Sequence, residues 1–453
     1  PDIDTVVCRQ EGGVTFMACA DGAMTGRPGI AFVTRGPGAT NASIGVHVAH
    51  QDSQPMILFL GDVDRSMRGR AGVAEADLSV PGGPARADGM LRHRVVGRER
   101  PLGTAAERNQ DAAAMAVLMD MIKNAASPIA IVGGAGWDAG AAEYFAEFAT
   151  RIGLPVAAAF RRQDAIANDC PVYAGNLGYG PNPKLLARIR EADLIIAVGA
   201  RLGEATTDGY SLITPDHPGQ QLVHVHPDPV ELNSVYRTDL PICAYPHEFA
   251  EMAALWEHDI IPFDAGAAAH AEWEAWNAVV PFDTVLDLGP CVAEMRRVLP
   301  GDSFICNGAG NFSGWWHRHW RYAGPVCQLA PTAGAMGYGV PAAVAAARRN
   351  PDRMVVALAG DGDFLMNGQE LATAVQYGCD MLVILVDNGA YGTIRMHQER
   401  EFPRRLSATT LNNPDFAALA RAYGGWAATV ETTAEFAPAL AQAMAQKGVR
   451  LLH

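Results

Sequence analysis

The chain has 453 residues, of which 49% are hydrophobic and 19% are charged, and 47 of them are glycines. This composition is typical of a compact α/β protein, and the length allows about three domains. The 49 acidic residues outnumber the 35 basic ones, and the net charge of −14 argues against a nucleic-acid or anionic-membrane partner. No apolar run approaches the roughly 18 residues of a membrane-spanning helix, and no signal peptide is visible. A soluble, cytoplasmic protein is therefore predicted.

The first part of the chain, residues 1–90, carries strand patterns at 5–8, 29–34 and 55–60. A helical stretch follows Glu11, and the run Gly-Pro-Gly-Ala-Thr-Asn at 36–41 follows the second strand. A single Glu in a loop is more often a surface residue than a functional one. The role of Glu11 therefore depends on what the rest of the chain predicts.

The middle part, residues 110–255, has strand patterns at 128–133, 155–160, 193–199 and 222–226. After the first of these strands, the glycine-rich turn at 133–136 resembles a dinucleotide-binding turn, but no complete G-x-G-x-x-G motif can be drawn around it. The sequence predicts a parallel α/β domain here without a strong ligand signal. The following segment, 259–281, carries an Ala-rich helix that contains Trp, and we interpret the segment as a linker.

The last part, residues 283–453, contains two unbroken apolar runs, 354–359 and 381–386, of the length expected for buried parallel strands. Gly360-Asp361-Gly362 follows the first run, and Asp387-Asn388 follows the second. Between them, we expect one helix that Asn367 caps, with Glu370 three positions later and Gly378 at its end. This pattern predicts a strand-helix-strand unit with a right-handed crossover.

The two polar clusters follow neighbouring parallel strands, so Asp361 and Asn388 should meet at the crevice where open α/β sheets bind ligands. A carboxylate, an amide oxygen and a loop carbonyl form a hard-oxygen set that suits Mg²⁺. Gly-Asp-Gly alone is also common in tight turns. A calcium loop is excluded because Leu365 stands where a third oxygen ligand is needed. The sequence thus predicts a magnesium site that takes its remaining ligands from a phosphate.

These residues resemble the signature of thiamine diphosphate (ThDP) enzymes, which is Gly-Asp-Gly, a spacer of this size and a terminal Asn. Asp387 departs from the usual Asn-Asn pair, whereas Asn388, the expected metal ligand, is kept. The resemblance extends over nearly the whole chain and is strongest to acetolactate synthase large subunits. It implies three parallel-sheet α/β domains: a pyrimidine-binding domain at 1–90, a central domain at 110–255 and a diphosphate-binding domain at 283–453. The first looks truncated, with segments missing before Pro1 and near 77–90.

The resemblance also implies the roles of individual residues. Glu11 would be the catalytic residue that hydrogen-bonds N1′ of the aminopyrimidine and promotes its imino form. Met336 would hold the cofactor in its bent conformation, although a core Met is an equally good interpretation of that residue alone. The metal ligands would be Asp361, Asn388 and Ala390. The cofactor-binding residues would be Gly310, Asn311, Phe312, Gly334, Met336, Gly360, Asp361, Gly362, Asp363, Asn388, Ala390, Tyr391 and Gly392.

The implied reaction is ThDP- and Mg²⁺-dependent decarboxylation of a 2-oxo acid, C–C bond formation, or both. Asp62 stands where synthases usually have Gln, and with Trp315 and His397 it forms a weakly predicted substrate pocket. The alternatives are a benzoylformate decarboxylase-like or benzaldehyde lyase-like enzyme, and a non-catalytic ThDP-binding paralogue. FAD, which some relatives bind, is not favoured. Because the family's cofactor lies between two chains, we expect a homodimer or homotetramer that acts on a small 2-oxo acid or aldehyde.

Overall fold

The computed structural model describes residues 3–61, 105–215, 219–256 and 260–453, and the side chains of its third helix from residue 113 onward. The chain forms two compact units. The first unit comprises Pro1–Gly97, Pro281–Trp315 and Leu329–His453, and the second comprises Arg98–Val280 and Trp316–Gln328. Within the described ranges, no helix combines the length and apolarity that a membrane span requires.

Residues 3–61 form two helix-strand pairs, α1 (Glu11–Thr25), β1 (Gly29–Val33), α2 (Pro37–Gln51) and β2 (Met56–Leu60), with β1 and β2 parallel. Helix α1 begins where the side chain of Gln10 accepts a hydrogen bond from Gly13 N, and it ends at Gly26, whose φ is 64°. The strand predicted at 5–8 is wrong. That segment is irregular, and Val7 N donates to the hydroxyl of Tyr377 instead of to a strand.

The middle part contains α3 (Ala105–Asn124), β3 (Pro128–Val132), α4 (Ala139–Ile152), β4 (Val156–Ala158), β5 (Tyr173–Asn176), α5 (Pro183–Glu191), β6 (Leu194–Val198), β7 (Gln221–Val225), β8 (Leu240–Ile242) and α6 (Pro246–Leu255). The strands form one parallel sheet in the order β5-β4-β3-β6-β7-β8. Alternate residues of β3 belong to different cores, with Ala130 and Val132 in one and Ile129 and Ile131 in the other. Both faces of the sheet are covered, which explains the unbroken apolar strand patterns.

The segment interpreted as a linker contains helix α7 (Ala265–Asn277), which belongs to the second unit. Ala269 and Trp273 on this helix are buried, and the Trp273 ring meets the Tyr173 ring edge-on at 5.0 Å. The linker interpretation is therefore wrong for these residues, because the Trp side chain is part of the core.

The last part contains α8 (Leu288–Val298), β9 (Phe304–Asn307), α9 (Ser313–His319), β10 (Gln328–Leu329), α10 (Gly339–Arg349), β11 (Val355–Gly360), α11 (Asp361–Asn367), α12 (Glu370–Gln376), β12 (Met381–Val386), α13 (Gly392–Glu401), α14 (Phe416–Ala422), β13 (Trp426–Ala428), α15 (Thr433–Met444) and β14 (Val449–Leu452). The sheet order is β10-β9-β11-β12-β14-β13. Strands β11 and β12 are parallel neighbours, as the strand-helix-strand prediction requires.

The connection between β11 and β12 differs from the single helix that the sequence predicts. Asn367 does not cap a helix, because it is the last residue of α11, which begins directly at Asp361. Gln369 occupies the N-cap of α12 without a side-chain cap bond. The chain leaves α12 at Gly378, whose φ is 63°, as expected. The predicted capping box fails because the carboxylate of Glu370 is buried and bonded to a distant segment.

Candidate active site

The register of the sheet brings two acidic residues together at its carboxyl edge. Gly360 at the end of β11 pairs with Val386 at the end of β12, so Asp361 and Asp387 leave the sheet side by side. The side-chain amide of Asn413 donates to Asp361 Oδ2 and to Asp387 Oδ1, at 2.7 Å in each case. Asn413 thus connects the two carboxylates.

The electrostatics of this pair favour a bound cation. Burial raises the pKa of Asp361, and the neighbouring charge of Asp387 raises it further, against the hydrogen bond from Asn413. Burial also opposes ionisation of Asp387, but hydrogen bonds from Gly389 N, His453 and Asn413 lower its pKa overall. An ionised Asp387 beside Asp361 leaves local negative charge that a divalent cation would neutralise.

The loop after β12 holds the other two predicted metal ligands. Asn388 Oδ1 accepts a hydrogen bond from Ala390 N at 3.1 Å, and Ala390 forms an antiparallel bridge with Thr410. Tyr391 N donates to Thr409 O at 2.9 Å, and Leu411 N donates to the carbonyl of Gly389 at 2.8 Å. The segment 409–413 therefore fixes this loop and supplies Asn413.

An open cavity of about 580 Å³ adjoins the loop; its lining includes Asn311, Asn388, Ala390, Gly392 and Met396. Among the described residues, no group of three or more His, Cys, Asp or Glu side chains could hold a metal ion. A site with one carboxylate, one amide and one backbone carbonyl is what Mg²⁺ uses when a phosphate and water complete its shell. The oxygen donors and the charge of the Asp361–Asp387 pair fit this ion.

The predicted diphosphate turn packs closely against the metal loop. A Cβ on Gly360 would lie 3.0 Å from the Phe312 ring, and one on Gly362 would lie 2.6 Å from the Tyr391 ring. Glycine is therefore required at both positions. Asn311 Oδ1 accepts a hydrogen bond from Thr393 Oγ1 at 2.9 Å. These side-chain contacts bring the turn at 310–312 next to Gly360-Asp361-Gly362, the place where a diphosphate would be expected.

Asp363 connects two loops assigned to the cofactor. Its Oδ1 accepts hydrogen bonds from Ala309 N at 3.0 Å and from Gly337 N at 2.7 Å, and the residue is 2% exposed. Gly337 directly follows Met336, which is half-buried, and Ala309 directly precedes Gly310. The carboxylate of Asp363 thus fixes the positions of both loops, which gives it a positioning role in addition to the predicted cofactor contact.

The loop that carries Met336 is fixed at its start as well. Thr332 N donates to Asp52 Oδ1 at 2.9 Å, and the Thr332 hydroxyl donates to the same oxygen. Gly334 then turns the chain with a φ of 69°, a conformation that favours glycine.

Glu11 is the first residue of α1 and is half-buried. Its Oε2 accepts a hydrogen bond from Asn41 Nδ2 at 3.1 Å, and a Cβ on Gly38 would lie 3.4 Å from its Oε1. The structure therefore brings Glu11 and the 36–41 turn together. Its assignment as the activating carboxyl stays a prediction.

The weak substrate-pocket predictions remain untested. Asp62 lies outside the described residues. Trp315 contacts the ring of Phe282 edge-on at 5.8 Å, and His397 is exposed on α13, where its Nδ1 lies 2.7 Å from Arg400 Nη2. Neither contact identifies a substrate.

Sequence reasoning missed two residues of this site, Asn413 and His453. His453 Nε2 lies 3.2 Å from Asp387 Oδ2. Asn413 stands in an irregular segment before α14, 52 residues from Asp361 along the chain. The polar run at 412–415 was the only available signal, and it equally suits an ordinary helix start.

Three family models of thiamine pyrophosphate enzymes match the chain. The N-terminal TPP binding domain matches residues 1–79, the central domain matches 115–253, and the C-terminal TPP binding domain matches 308–453. The chain therefore belongs to the thiamine pyrophosphate enzymes, for which ThDP is the cofactor. This finding confirms the predicted family and the predicted three-domain α/β fold class.

Among curated relatives, the chain is similar to acetolactate synthase large subunits. That of Parasynechococcus marenigrum (strain WH8102) is 29% identical over 92% of this chain and 75% of the relative. The isozyme 2 large subunit of Escherichia coli (strain K12) is 26% identical over 100% of this chain and 88% of the relative.

A solved structure shares the fold. The Rhodococcus jostii RHA1 thiamine diphosphate-dependent 4-hydroxybenzoylformate decarboxylase superimposes with a TM-score of 0.78 at 21% identity, covering 100% of this chain and 92% of that one. The prediction of a ThDP-dependent enzyme is confirmed.

Proposed function

We propose that this enzyme uses ThDP and Mg²⁺ to decarboxylate a 2-oxo acid and to form a C–C bond, as an acetolactate synthase does. The observation that carries the proposal is the pair Asp361 and Asp387, whose shared position at the strand ends calls for a cation. The similarity to acetolactate synthase large subunits supports the reaction type.

Each residue has a definite task in this proposal. When bound, ThDP supplies the electron sink for loss of carbon dioxide. Asp361, Asn388 and the carbonyl of Ala390 would hold Mg²⁺, and the turn at 310–312 would bind the diphosphate. Met336 would pack against the bound cofactor, and Glu11 would hold a proton at N1′.

The second candidate function is a benzoylformate decarboxylase-like or benzaldehyde lyase-like activity. Asp62 favours it, because it stands where synthases usually have Gln; the resemblance implies that this position is near the substrate, where a carboxylate would repel a second 2-oxo acid and disfavour synthesis of an acetohydroxy acid. A non-catalytic paralogue is the least supported alternative, because Glu11 is present and hydrogen-bonded to Asn41.

We further propose that the central domain works without FAD. Trp137 Nε1 donates to the carbonyl of Gly133 at 2.9 Å, beside the turn that follows β3. A Cβ on Gly199, in the turn after β6, would lie 2.9 Å from Pro246 and 3.4 Å from Trp137. These side chains lie against the turns at the strand ends, where a dinucleotide would enter an α/β sheet.

We propose a homodimer or homotetramer. Leu365 and Met366, which directly follow the Gly-Asp-Gly turn, are 47% and 44% exposed, and Phe32 on β1 is 68% exposed. Apolar side chains near a cofactor site are expected to be covered by another subunit. Light scattering would contradict this proposal if the catalytically active species were a monomer.

One experiment separates the candidate functions. Purified protein with ThDP and Mg²⁺ is given aliphatic and aromatic 2-oxo acids, with and without an acceptor aldehyde, and in a separate reaction an aromatic 2-hydroxy ketone, while carbon dioxide and products are measured. Acetohydroxy acids support the proposal, whereas free aldehydes from aromatic substrates support the decarboxylase alternative. An aromatic 2-hydroxy ketone cleaved to aldehydes indicates a lyase. Binding of ThDP with no turnover of any substrate would contradict every enzymatic function proposed above.

A further inference from the structure

Glu370 is a fully buried carboxylate on α12, with 0% of its surface exposed. Its Oε1 accepts hydrogen bonds from the backbone N–H groups of Arg9 at 2.9 Å and Gln10 at 3.0 Å. Its Oε2 accepts from Arg9 N at 3.2 Å and from Thr373 Oγ1 at 2.5 Å. The buried carboxylate therefore bonds the two residues that immediately precede Glu11.

The start of α1 is shaped around this carboxylate. A Cβ on Gly13 would lie 2.6 Å from Glu370 Oε1, so only glycine lets the first turn approach so closely. Gln10 is the N-cap of α1, and Glu11 is its first helical residue. Helix starts leave N–H groups without helical partners and carry partial positive charge. A carboxylate here accepts hydrogen bonds from N–H groups at the helix start and compensates the partial positive charge. It also fixes the direction in which the helix begins.

Burial raises the pKa of the Glu370 carboxyl, against hydrogen bonds from Thr373, Arg9 and Gln10. A buried carboxyl is costly unless it is hydrogen-bonded, and an apolar side chain would fill the same space without that cost. Among the residues that the structure describes, all of its hydrogen bonds to distant sequence come from the segment before Glu11. A carboxyl at position 370 is therefore better explained by its hydrogen bonds to the segment before Glu11 than by the packing of α12.

We propose that Glu370 is a positioning residue that holds Glu11 in place for activation of the cofactor. The proposal rests on the function assigned to Glu11 above. Glu370 also lies in the connection between β11 and β12 that begins at Asp361, since α11 begins at Asp361 and α12 at Glu370. One short stretch of chain thus supplies a metal ligand and the contact that orients the activating carboxyl.

The test compares Glu370→Ala, Glu370→Asp and Glu370→Gln in the full chain. Glu370→Gln keeps one acceptor oxygen for the Arg9 and Gln10 amides and should stay close to wild type. Glu370→Ala and the shorter Glu370→Asp lose these bonds. In both, amide hydrogen exchange in residues 3–12 should accelerate by roughly tenfold or more without ThDP, as expected for lost bonds to a charged group.

With ThDP and Mg²⁺ present, C2 proton exchange of the bound cofactor should slow by roughly tenfold to a hundredfold in these two variants. ThDP affinity, measured by calorimetry, should change little, because the metal and diphosphate contacts are intact. Leu371→Ala is the matched control, since Leu371 is buried next to Glu370 on α12. It should lower the melting temperature without slowing C2 exchange.

Glu11→Gln separates the proposed role of Glu370 from the proposed role of Glu11. If it slows C2 exchange while Glu370→Asp and Glu370→Ala exchange as fast as wild type, the positioning role of Glu370 is wrong and that of Glu11 stands. If Glu11→Gln itself exchanges normally, the proposed function of Glu11 is wrong. Should Glu370→Ala not fold, Glu370→Asp alone decides, because it keeps the charge and shortens only the reach.

Discussion

Asp361 and Asp387 share one amide group, the Nδ2 of Asn413, which lies 2.7 Å from an oxygen of each carboxylate. The Oδ1 of Asn413 is buried and has no hydrogen-bond partner among the described residues. Together with the oxygens of the two carboxylates, the Oδ1 of Asn413 gives the site more hydrogen-bond acceptors than donors. The arrangement is thus incomplete without a cation or its water shell.

We expect Asn413→Ala to weaken Mg²⁺-dependent ThDP binding by roughly tenfold, because one amide no longer holds two carboxylates in register. Calorimetric titration with ThDP at fixed Mg²⁺ measures the change. Asn412→Ala is the matched control, since Asn412 is an exposed neighbour. Equal affinities for both variants would show that Asn413 has no part in the site.

Removing the metal or its carboxylate ligand should abolish tight cofactor binding. Asp361→Ala and wild type in EDTA are both expected to lose ThDP binding, because the variant lacks the proposed carboxylate ligand and EDTA removes the cation that would neutralise the diphosphate. The measurement is ThDP affinity by calorimetry. Unchanged affinity in EDTA would refute the metal assignment.

Asp387→Asn restores the residue usual at this position and should change ThDP affinity by less than about tenfold, because Asp387 is expected to orient the loop rather than ligate. An Asn side chain keeps an oxygen that can accept from Gly389 N, as Asp387 Oδ1 does now at 2.8 Å. A larger loss in a titration would indicate that the second carboxylate contacts the metal directly.

Glu11→Gln should keep ThDP binding and lose roughly 10²- to 10⁴-fold in turnover, the usual share of a general acid-base group. C2 proton exchange, followed by NMR after acid quench, should slow in parallel. Asp62→Gln is the comparison variant. It is expected to leave C2 exchange unchanged and to alter the choice of 2-oxo acid or acceptor.

His317 predicts a pH dependence of stability that is independent of the cofactor. Burial, with a smaller contribution from Arg161, lowers the pKa of His317 to about 3. The unfolded chain binds this proton near pH 6.5, so the folded state should lose stability as the pH falls from about 6.5 toward 3.

His317→Phe keeps the buried ring and removes the titrating group. Between pH 7 and pH 4, the free energy of unfolding should therefore fall by about a few kcal/mol less in the variant than in wild type. The measurement is the melting temperature, which should fall less in the variant. Parallel pH profiles for the two proteins would mean that His317 takes up its proton without unfolding the surrounding core.

The strand ends could be predicted because buried parallel strands have a local signature. The apolar runs before Asp361 and Asp387 are continuous, and the structure places both strands next to each other as expected. The strand predicted at 5–8 is wrong because, in the described part of the chain, no strand pairs with this short apolar segment. Local patterns thus identify elements whose burial is complete, and they fail where a segment is held by a few side-chain contacts.

The residues that organise the site could not be predicted from local pattern. Glu370 has the spacing of a capping box after Asn367, but its partners Arg9 and Gln10 are 361 and 360 positions away along the chain. Nothing in the neighbourhood of Glu370 distinguishes a helix cap from a tertiary contact. Such contacts depend on the packing of complete elements, which the resemblance to a family only implies.

The carboxylate of Asp363 has a consequence for how the cofactor enters. Its Oδ1 accepts hydrogen bonds from the N–H groups of Ala309 and Gly337, so the loops at 308–310 and 334–337 cannot shift independently. Conformational entropy that two separate loops would lose on binding is already lost during folding. In the proposed site, the cofactor would therefore meet a preorganised surface, and ordering of these loops would not reduce its affinity.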